Sequence, residues 1–303
     1  MVNELVATLL RYTDAHPGQN PVATTMPGVL ILRADQRRRP KPVGFKPALC
    51  FIAQGAKAAV FGDKTVHYGA GHALVATLEL PGVGWVAEAS PEAPMLGIAI
   101  ELDLAMLRSV FRELEEPPAA GSTPRHGVVV TRVDGALADC FVRLVRLLAM
   151  PRAVRVLLPG IMREICYWLF VGPHGGDIAQ TTLATGNAEP IVRAIHALRD
   201  GFDKPVRIEQ LASIAHLSPS AFHRQFKELT SMTPLQYQKQ LRLLEARRLM
   251  VSDAAGAEAA AFRVGYASAS QFSREYARMF GQPPRRDVES MLGVHSTQRA
   301  ASP

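Results

Sequence analysis

The sequence predicts an α+β chain in two parts. A strand-rich antiparallel barrel or sandwich with flanking helices comes first, then an all-α domain of two helix-turn-helix units joined by a long helix. Three observations predict it. Residues 28 to about 102 alternate short apolar runs with glycine, the apolar spacing turns helical after Asp103, and residues 191–290 repeat at an offset of fifty. With 303 residues, 48% of them hydrophobic, the chain has material for two cores.

Leu5, Leu9 and Tyr12 at helical spacing predict a short helix over 3–13. The runs VLILRA, ALCFIAQG, KAAVFGDKTVHYG, HALVATLEL and MLGIAIEL follow as strands, with Gly62-Asp63 as a hairpin turn. Leu104, Leu107, Val110 and Phe111 then share a helical face, as do Leu137, Phe141, Leu144, Val145 and Leu148. A third helix is expected over 159–171, with Ile161, Ile165 and Trp168 or Leu169 inward. Residues 172–188 hold four glycines and no sustained period, which reads as interdomain linker. The expected boundaries are therefore 1–175 for the first domain, 176–188 for the linker, 189–290 for the helical domain, and a disordered tail over 291–303.

The repeat carries the functional signal. Ser218 matches Ser268, Ser220 matches Ser270, Phe222 matches Phe272, Arg224 matches Arg274, Phe226 matches Tyr276, and Pro234 matches Pro284. In the first unit IEQLASIAHL is an amphipathic helix with small Ala212 in its middle. Ser218 and Pro219 then open a second helix, as N-cap and first-turn residues do. In the second unit Ala261 is the small residue, Gly265 the turn, and Ser268 with Gln271 a capping-box pattern. Two helices joined by a short turn, with a small residue where they cross, describe a helix-turn-helix. At ~100° per residue, Phe222, Phe226 and Leu229 face inward while Ser220, His223, Arg224 and Lys227 face out. Phe272, Tyr276 and Met279 repeat the inward set, and Ser270, Ser273, Arg274 and Ala277 the outward one. Such fronts suit a major groove, where arginine grips guanine and serine or histidine reaches base edges. Thr233 and Gln236 form a further capping box, opening a helix to about Val251. A rigid helix there would hold two reading heads at the separation of one DNA turn, about 34 Å. Arg242, Arg247, Arg248, Arg285 and Arg286 are candidate phosphate contacts, with a solvated surface role as the alternative.

Charge points the same way. Residues 1–190 carry 18 basic and 17 acidic side chains, and residues 191–303 carry 16 and 10. The excess of positive charge lies at the helical end, where a polyanion would meet it. Cys50, Cys140 and Cys166 form no CxxC pair, which suits free core thiols in a reducing cytosol. Neither a signal-peptide pattern in the first twenty residues nor an apolar run long enough for a membrane span is present. The expected location is the cytoplasm, in association with the nucleoid.

VGYASASQFSREYARMFGQPP (264–284) and LASIAHLSPSAFHRQFKELTSMTPLQY (211–237) resemble the DNA-binding module of the AraC/XylS family of bacterial transcription regulators. The resemblance implies that Ser220, His223 and Arg224, then Ser270, Ser273 and Arg274, face the bases, and the outward position of Lys227 on the same helix makes it a further DNA-binding candidate. Three departures stand out. Ser231 replaces a common glycine, Asp287 stands where an aromatic residue is frequent, and the first helix of the second unit is alanine-rich, so its core is expected to be thin. QGAKAAVFGDKTVHYGAG (54–71) and LPGVGWVAEASPEAPMLGIAIELD (80–103) resemble the regulatory domain of one AraC subgroup. That likeness implies a cupin-like barrel for a small-molecule effector and, after it, helices that dimerise, here over 134–171. Tyr68, His72 and Trp85 are the candidate effector contacts, with a core role for the aromatic residues and a surface or pocket-rim place for the histidine as the alternative. The implied partners are double-stranded promoter or operator DNA, RNA polymerase, the effector and a second copy of the chain, with no membrane. The implied role is a transcription regulator, an activator or a repressor.

No catalytic residue, metal site or cofactor is expected. His67 and His72 are five residues apart, Glu79 lies seven further on, and Gly69-Ala70-Gly71 interrupts the strand between the histidines, so the three do not converge as metal ligands must. Three isolated cysteines argue against thiolate DNA-repair chemistry. A non-specific architectural DNA-binding protein remains the competing reading, and a cupin enzyme fused to a DNA-binding module the third.

Overall fold

The computed structural model describes residues 2–119, 127–184 and 188–299. The chain divides into two units, residues 1–40, 45–80 and 84–189 in the first, and residues 41–44, 81–83 and 190–303 in the second.

The strand-rich part holds β1 (Val22–Ala23), β2 (Val29–Ala34), β3 (Lys41–Phe45), β4 (Ala48–Gln54), β5 (Ala56–Phe61), β6 (Lys64–Gly69), β7 (His72–Ala76), β8 (Leu80–Glu88), β9 (Met95–Glu101) and β10 (Val128–Arg132). They form two sheets, one of six strands in the order β1-β2-β9-β4-β7-β10 and one of four in the order β3-β8-β5-β6. The hairpin expected at Gly62-Asp63 joins β5 to β6, with Phe61 paired to Lys64. Helices α1 (Val2–Asp14), α2 (Leu104–Glu113), α3 (Gly135–Arg146), α4 (Pro151–Val171) and α5 (Gly175–Thr182) complete the strand-rich part, of which residues 41–44 of β3 and 81–83 of β8 are grouped with the second unit.

Burial on both faces explains why β4, β7 and β9 read as nearly unbroken apolar runs rather than alternating ones. Leu49, Phe51, Val75, Ile98 and Ile100 share one core with Leu9 of α1, Leu107 of α2, Phe141 of α3 and Ile165 of α4. Ile52 and Leu74, adjacent in sequence to members of that core, are buried as well. By contrast β6 alternates, with Tyr68 buried and Thr65 and His67 exposed.

Three expectations need correction. The third helix starts at Pro151, not at 159. Proline suits a first turn and reads as a helix start, and two prolines compete here; Pro159 lies within the helix on its exposed side. Residues 175–182, most of them assigned to the linker, form α5, whose Ile178 and Ala179 join the core. Glycine is needed there for close packing rather than for bending, since a Cβ on Gly175 would lie 1.6 Å from the Phe170 carbonyl oxygen. Residues 185–187 of that stretch lie outside the described residues. The expected tail from 291 is helical as far as Arg299, and residues 300–303 lie outside the described residues.

The helical part comprises α6 (Glu189–Asp200), α7 (Ile208–Ile214), α8 (Pro219–Thr230), α9 (Pro234–Ser252), α10 (Ala257–Arg263), α11 (Ala269–Phe280) and α12 (Pro284–Arg299). Among the described residues no helix is long and apolar enough to cross a membrane.

Candidate nucleic-acid interface

The fifty-residue repeat is also a repeat of hydrogen bonds. After α7, Leu217 N–H donates to the Ala212 carbonyl at 2.9 Å and His216 N–H to that of Ser213 at 3.0 Å. After α10, Tyr266 N–H donates to Ala261 and Gly265 N–H to Phe262, each at 3.0 Å. Both turns close the preceding helix through a left-handed residue, His216 at φ 52° in one and Gly265 at φ 85° in the other. Here the offset is forty-nine. One extra residue, between Tyr266 and Ser268, restores it to fifty before the second helix begins.

Each second helix is then fixed by its cap. Ser218 Oγ accepts from Ala221 N–H and Ser268 Oγ from Gln271 N–H, both at 3.3 Å. At Ser268 only this half of a capping box is present, and the Gln271 Nε2 donates to Glu275 at 3.4 Å. Helix α9 has both halves, between Thr233 and Gln236. Inward, Phe222 and Phe226 of α8 are fully buried, and Phe226 meets Tyr237 of α9 edge-on with centroids 5.5 Å apart. In α11, Phe272 and Tyr276 are buried equally and lie 5.4 Å apart.

The front faces are open. Ser220, His223, Arg224 and Lys227 on α8 are exposed, as are Ser270 and Arg274 on α11, while Ser273 and Ala277 are half-buried. Neither Arg224 nor Arg274 forms an ion pair with another described residue, so both guanidinium forks are free to meet a ligand.

Ser231 ends α8 at φ 59°, where α11 ends on Gly281 at φ 81°. A side chain in the left-handed region costs about 1–2 kcal/mol, part of which glycine forfeits through its freer unfolded chain. Ser231→Gly is therefore expected to raise stability by about 0.5–1 kcal/mol, read from a urea midpoint; an unchanged or lower midpoint would show that the serine is not strained.

Helix α9 ties the two units together. Gln238 Nε2 donates to the carbonyls of Phe202 at 2.7 Å and Lys204 at 2.5 Å. Arg242 donates to Phe202 (2.7 Å), Asp203 (2.9 Å), Lys204 (3.0 Å) and Gly265 (2.9 Å). One side chain thus clamps the loop before α7 to the turn after α10, which holds both helix-turn-helix units in register on one rod. Lys239 of α9 reaches Glu275 of α11 at 3.3 Å, and Tyr266 donates to the same carboxylate at 2.8 Å. Burial works to raise the Glu275 carboxyl, but the hydrogen bonds from Tyr266, Gln271 and Lys239 outweigh it and hold the group below its ordinary value.

Two of the proposed phosphate contacts are therefore structural. Arg242 is spent on carbonyls, and Arg247, only 17% exposed, pairs with buried Asp287. Its Nη2 donates to Oδ1 at 3.0 Å, its Nε sits 2.8 Å from Oδ2 in ion-pair contact without hydrogen-bond geometry, and its guanidinium lies over the Phe280 ring at 4.5 Å. Arg248 is turned onto Glu245 and Arg285 onto Glu289, both at the surface, and Arg286 is exposed. Asp287 also accepts from Tyr276 at 2.7 Å and Gln282 at 3.1 Å. The charged residue that replaces an aromatic one is thus the hub of a buried network. Burial and Asp287 together push the Tyr276 phenol well above its ordinary range, so it stays a donor. Nor is the second core thin. Ala260 and Ala261 are small enough to bring α10 against Leu243, Ala246 and Met250, and Val264, Tyr266, Phe272 and Tyr276 fill the same cluster.

Comparison with known proteins sets this geometry in a family. The family described as the AraC-type transcriptional regulator N-terminus matches residues 25–177, and a helix-turn-helix domain family matches residues 211–289. The chain belongs to the AraC family of transcriptional regulators. It is 32% identical over 102 residues to the HTH-type transcriptional activator RhaS of Klebsiella pneumoniae (strain 342), a stretch covering 34% of this chain and 37% of that protein. RhaS of Escherichia fergusonii is 33% identical over 111 residues, or 36% of this chain and 40% of that one. The chain thus matches well under half the length of these relatives. In fold it is similar to unsaturated fatty acid bound ToxT from Vibrio cholerae strain SCE256, with a TM-score of 0.58 at 10% identity, covering 86% of this chain and 94% of that one.

Within the AraC-type N-terminal region, the three residues expected to touch an effector do not come together. Tyr68 is buried, His72 is exposed at the head of β7, and Trp85 lies edge-on to His67 with centroids 6.3 Å apart. His67 and Tyr68 are successive on β6 and point to opposite faces, so Trp85 lies across the sheet from Tyr68. Tyr68 is joined instead by two residues that sequence reasoning missed. Lys57 is its register partner on β5, and Cys50 of β4 has its Sγ 3.8 Å from Lys57 Nζ. The signal was present, because alternation along β5 puts Lys57 on the same face as Phe61. Burial and Cys50 push the Tyr68 phenol up, which keeps it a donor. The other two thiols are buried. Burial with Glu164 raises Cys140 to about 11, and burial raises Cys166 to about 12, so neither is a ready nucleophile. Among the described residues no three His, Cys, Asp or Glu side chains cluster as metal ligands.

Proposed function

We propose that this chain is a sequence-specific transcription regulator that reads two adjacent major grooves with α8 and α11. The observation that carries the reading is the pair of capped helices, each with two aromatic residues buried, Phe222 and Phe226 or Phe272 and Tyr276, and its arginine, Arg224 or Arg274, exposed and unpaired. Ser220, His223 and Lys227, then Ser270 and Ser273, would add base-edge and phosphate contacts around them. Residues 189–290 form the reading part and the preceding residues the sensing part.

The sensing part would hold a small effector between its sheets, where Lys57, Tyr68 and Cys50 offer a cation and two donors beside Ile52 and Leu74. ToxT, crystallised with an unsaturated fatty acid, illustrates that such a fold accommodates a ligand. Binding there would shift the population between arrangements of the two parts. Self-association through 134–171, where Val156, Leu157, Tyr167 and Val171 are exposed, and contact with RNA polymerase complete the proposal. The protein would act in the cytoplasm on the nucleoid, without catalysis.

Selection of bound sites from random DNA tests the reading, because a regulator enriches a motif with two half-sites about one helical turn apart and an architectural protein enriches none. On the selected site, Arg224→Ala and Arg274→Ala are each expected to cost about 1–3 kcal/mol and to relax preference at a different base position. A loss equal on every sequence would make that arginine a phosphate contact only.

A further inference from the structure

Basic charge in the strand-rich part is concentrated in one place that the reading above does not use. Residues 37–46, RRRPKPVGFK, contain five cations and no acid. Arg37, Arg38, Arg39, Lys41 and Lys46 are all exposed, and none of them forms an ion pair with a described residue. Carboxylates are not scarce in this part. Without those five, residues 1–190 carry 13 basic and 17 acidic side chains. Its neighbour Arg33 is held by both Asp14 and Asp35, and Arg143, Arg146 and Arg163 each have a glutamate partner. The chain thus pairs many of its arginines and leaves this run open.

We propose that the Arg37–Lys46 segment grips the sugar–phosphate backbone of the same duplex that α8 and α11 read. The inference rests on the DNA-binding reading and adds a second contact surface to it. Arginine forks match phosphate oxygens in pairs, and the contact proposed is to the backbone, without sequence preference. Pro40 and Pro42 stiffen the segment, and Arg38 N–H donates to the Val86 carbonyl at 3.1 Å, so the cations are presented on pinned chain. It is not an amphipathic helix, as a membrane-surface element would be. Once the recognition helices hold a duplex, the segment meets it at the high effective concentration of a tethered site.

The test compares the full chain with the Arg37→Ala, Arg38→Ala, Arg39→Ala triple variant and with the corresponding triple lysine variant. Anisotropy titrations would use a selected site and a scrambled duplex between about 50 and about 200 mM salt. Each phosphate contact contributes about −0.9 to the slope of log K against log salt. The alanine triple is expected to bind both duplexes more weakly by the same factor, with a slope shallower by roughly 2.7. Its deficit would therefore shrink by roughly 40-fold across that salt range, while the lysine triple keeps the parental slope. Equal slopes for the alanine triple and the parent overturn the proposal. Equal slopes with new aggregation overturn it too, and identify the cations as guards of the open edge of β3. If the parent does not prefer its selected site, the regulator reading fails separately, and the slopes on the scrambled duplex still decide this proposal.

Discussion

Asp287→Ala is expected to lower the unfolding free energy of the second helix-turn-helix by about 3–5 kcal/mol, the usual cost of removing one partner of a buried ion pair. The carboxylate is 4% exposed and serves Arg247, Tyr276 and Gln282 at once. Truncation leaves the Arg247 guanidinium largely enclosed and the Tyr276 hydroxyl buried without an acceptor. These groups come from α9, α11 and the turn before α12, so the loss falls on the packing that orients Arg274. Asp287→Asn keeps the shape and the acceptor but not the charge, and is expected to fall between the parent and the alanine variant. Both tryptophans, Trp85 and Trp168, lie in the strand-rich part, so their fluorescence does not follow this event. Amide hydrogen exchange over 264–290 does, and it should accelerate in Asp287→Ala while exchange over α8 changes little. A loss below about 1 kcal/mol would mean that the pair behaves as a solvated surface bridge. On the proposed reading DNA binding gives a second readout, in which the variant should lose its preference in the half-site assigned to α11 and keep the one assigned to α8.

The part that sequence reasoning read well is the part governed by local rules. N-caps at Ser218, Thr233 and Ser268, small crossing residues at Ala212 and Ala261, and the inward aromatic residues of α8 and α11 follow from spacing and backbone chemistry within one turn of helix. What it misread depends on contacts between residues far apart in the chain. Arg242 and Arg247 look like any surface arginines on a helix until the 201–204 loop and Asp287 are placed beside them. Asp287 looks like a defect for the same reason. Gly175 and Gly176 suggest a linker because glycine frees a chain, but at Gly175 the glycine admits a close approach to α4. Tyr68 and Trp85 read together as candidate effector contacts, whereas strand parity puts them on opposite faces. Parity was available along β6, but the pairing of Trp85 with His67 across strands was not.

Gly265→Ala is expected to destabilise the helical part by more than about 3 kcal/mol, and two separable effects produce the loss. The residue sits at φ 85°, where an L side chain costs about 1–2 kcal/mol. A Cβ would also lie 1.8 Å from the Asp203 carbonyl oxygen and 2.9 Å from Arg242 Nη2, and the first of these is backbone that cannot turn aside. Relief requires the 201–204 loop to retreat, which breaks the bonds from Gln238 and Arg242 that lock the two reading units together. Gly281→Ala separates the terms, because Gly281 has φ 81° but nothing within 4 Å of the Cβ position. It should cost about 1–2 kcal/mol, the backbone term alone. If the two variants lose equal stability in urea, the close approach of the loop to the turn is relieved without cost and the clamp is weak. If Gly265→Ala loses more, its DNA affinity should fall beyond what its unfolded fraction explains, because the clamp that spaces α8 from α11 has been opened as well. His216 holds the equivalent left-handed position in the first unit, and there a side chain is accommodated. The demand for glycine therefore comes from the loop packed against the second turn, not from the helix-turn-helix geometry that both units share.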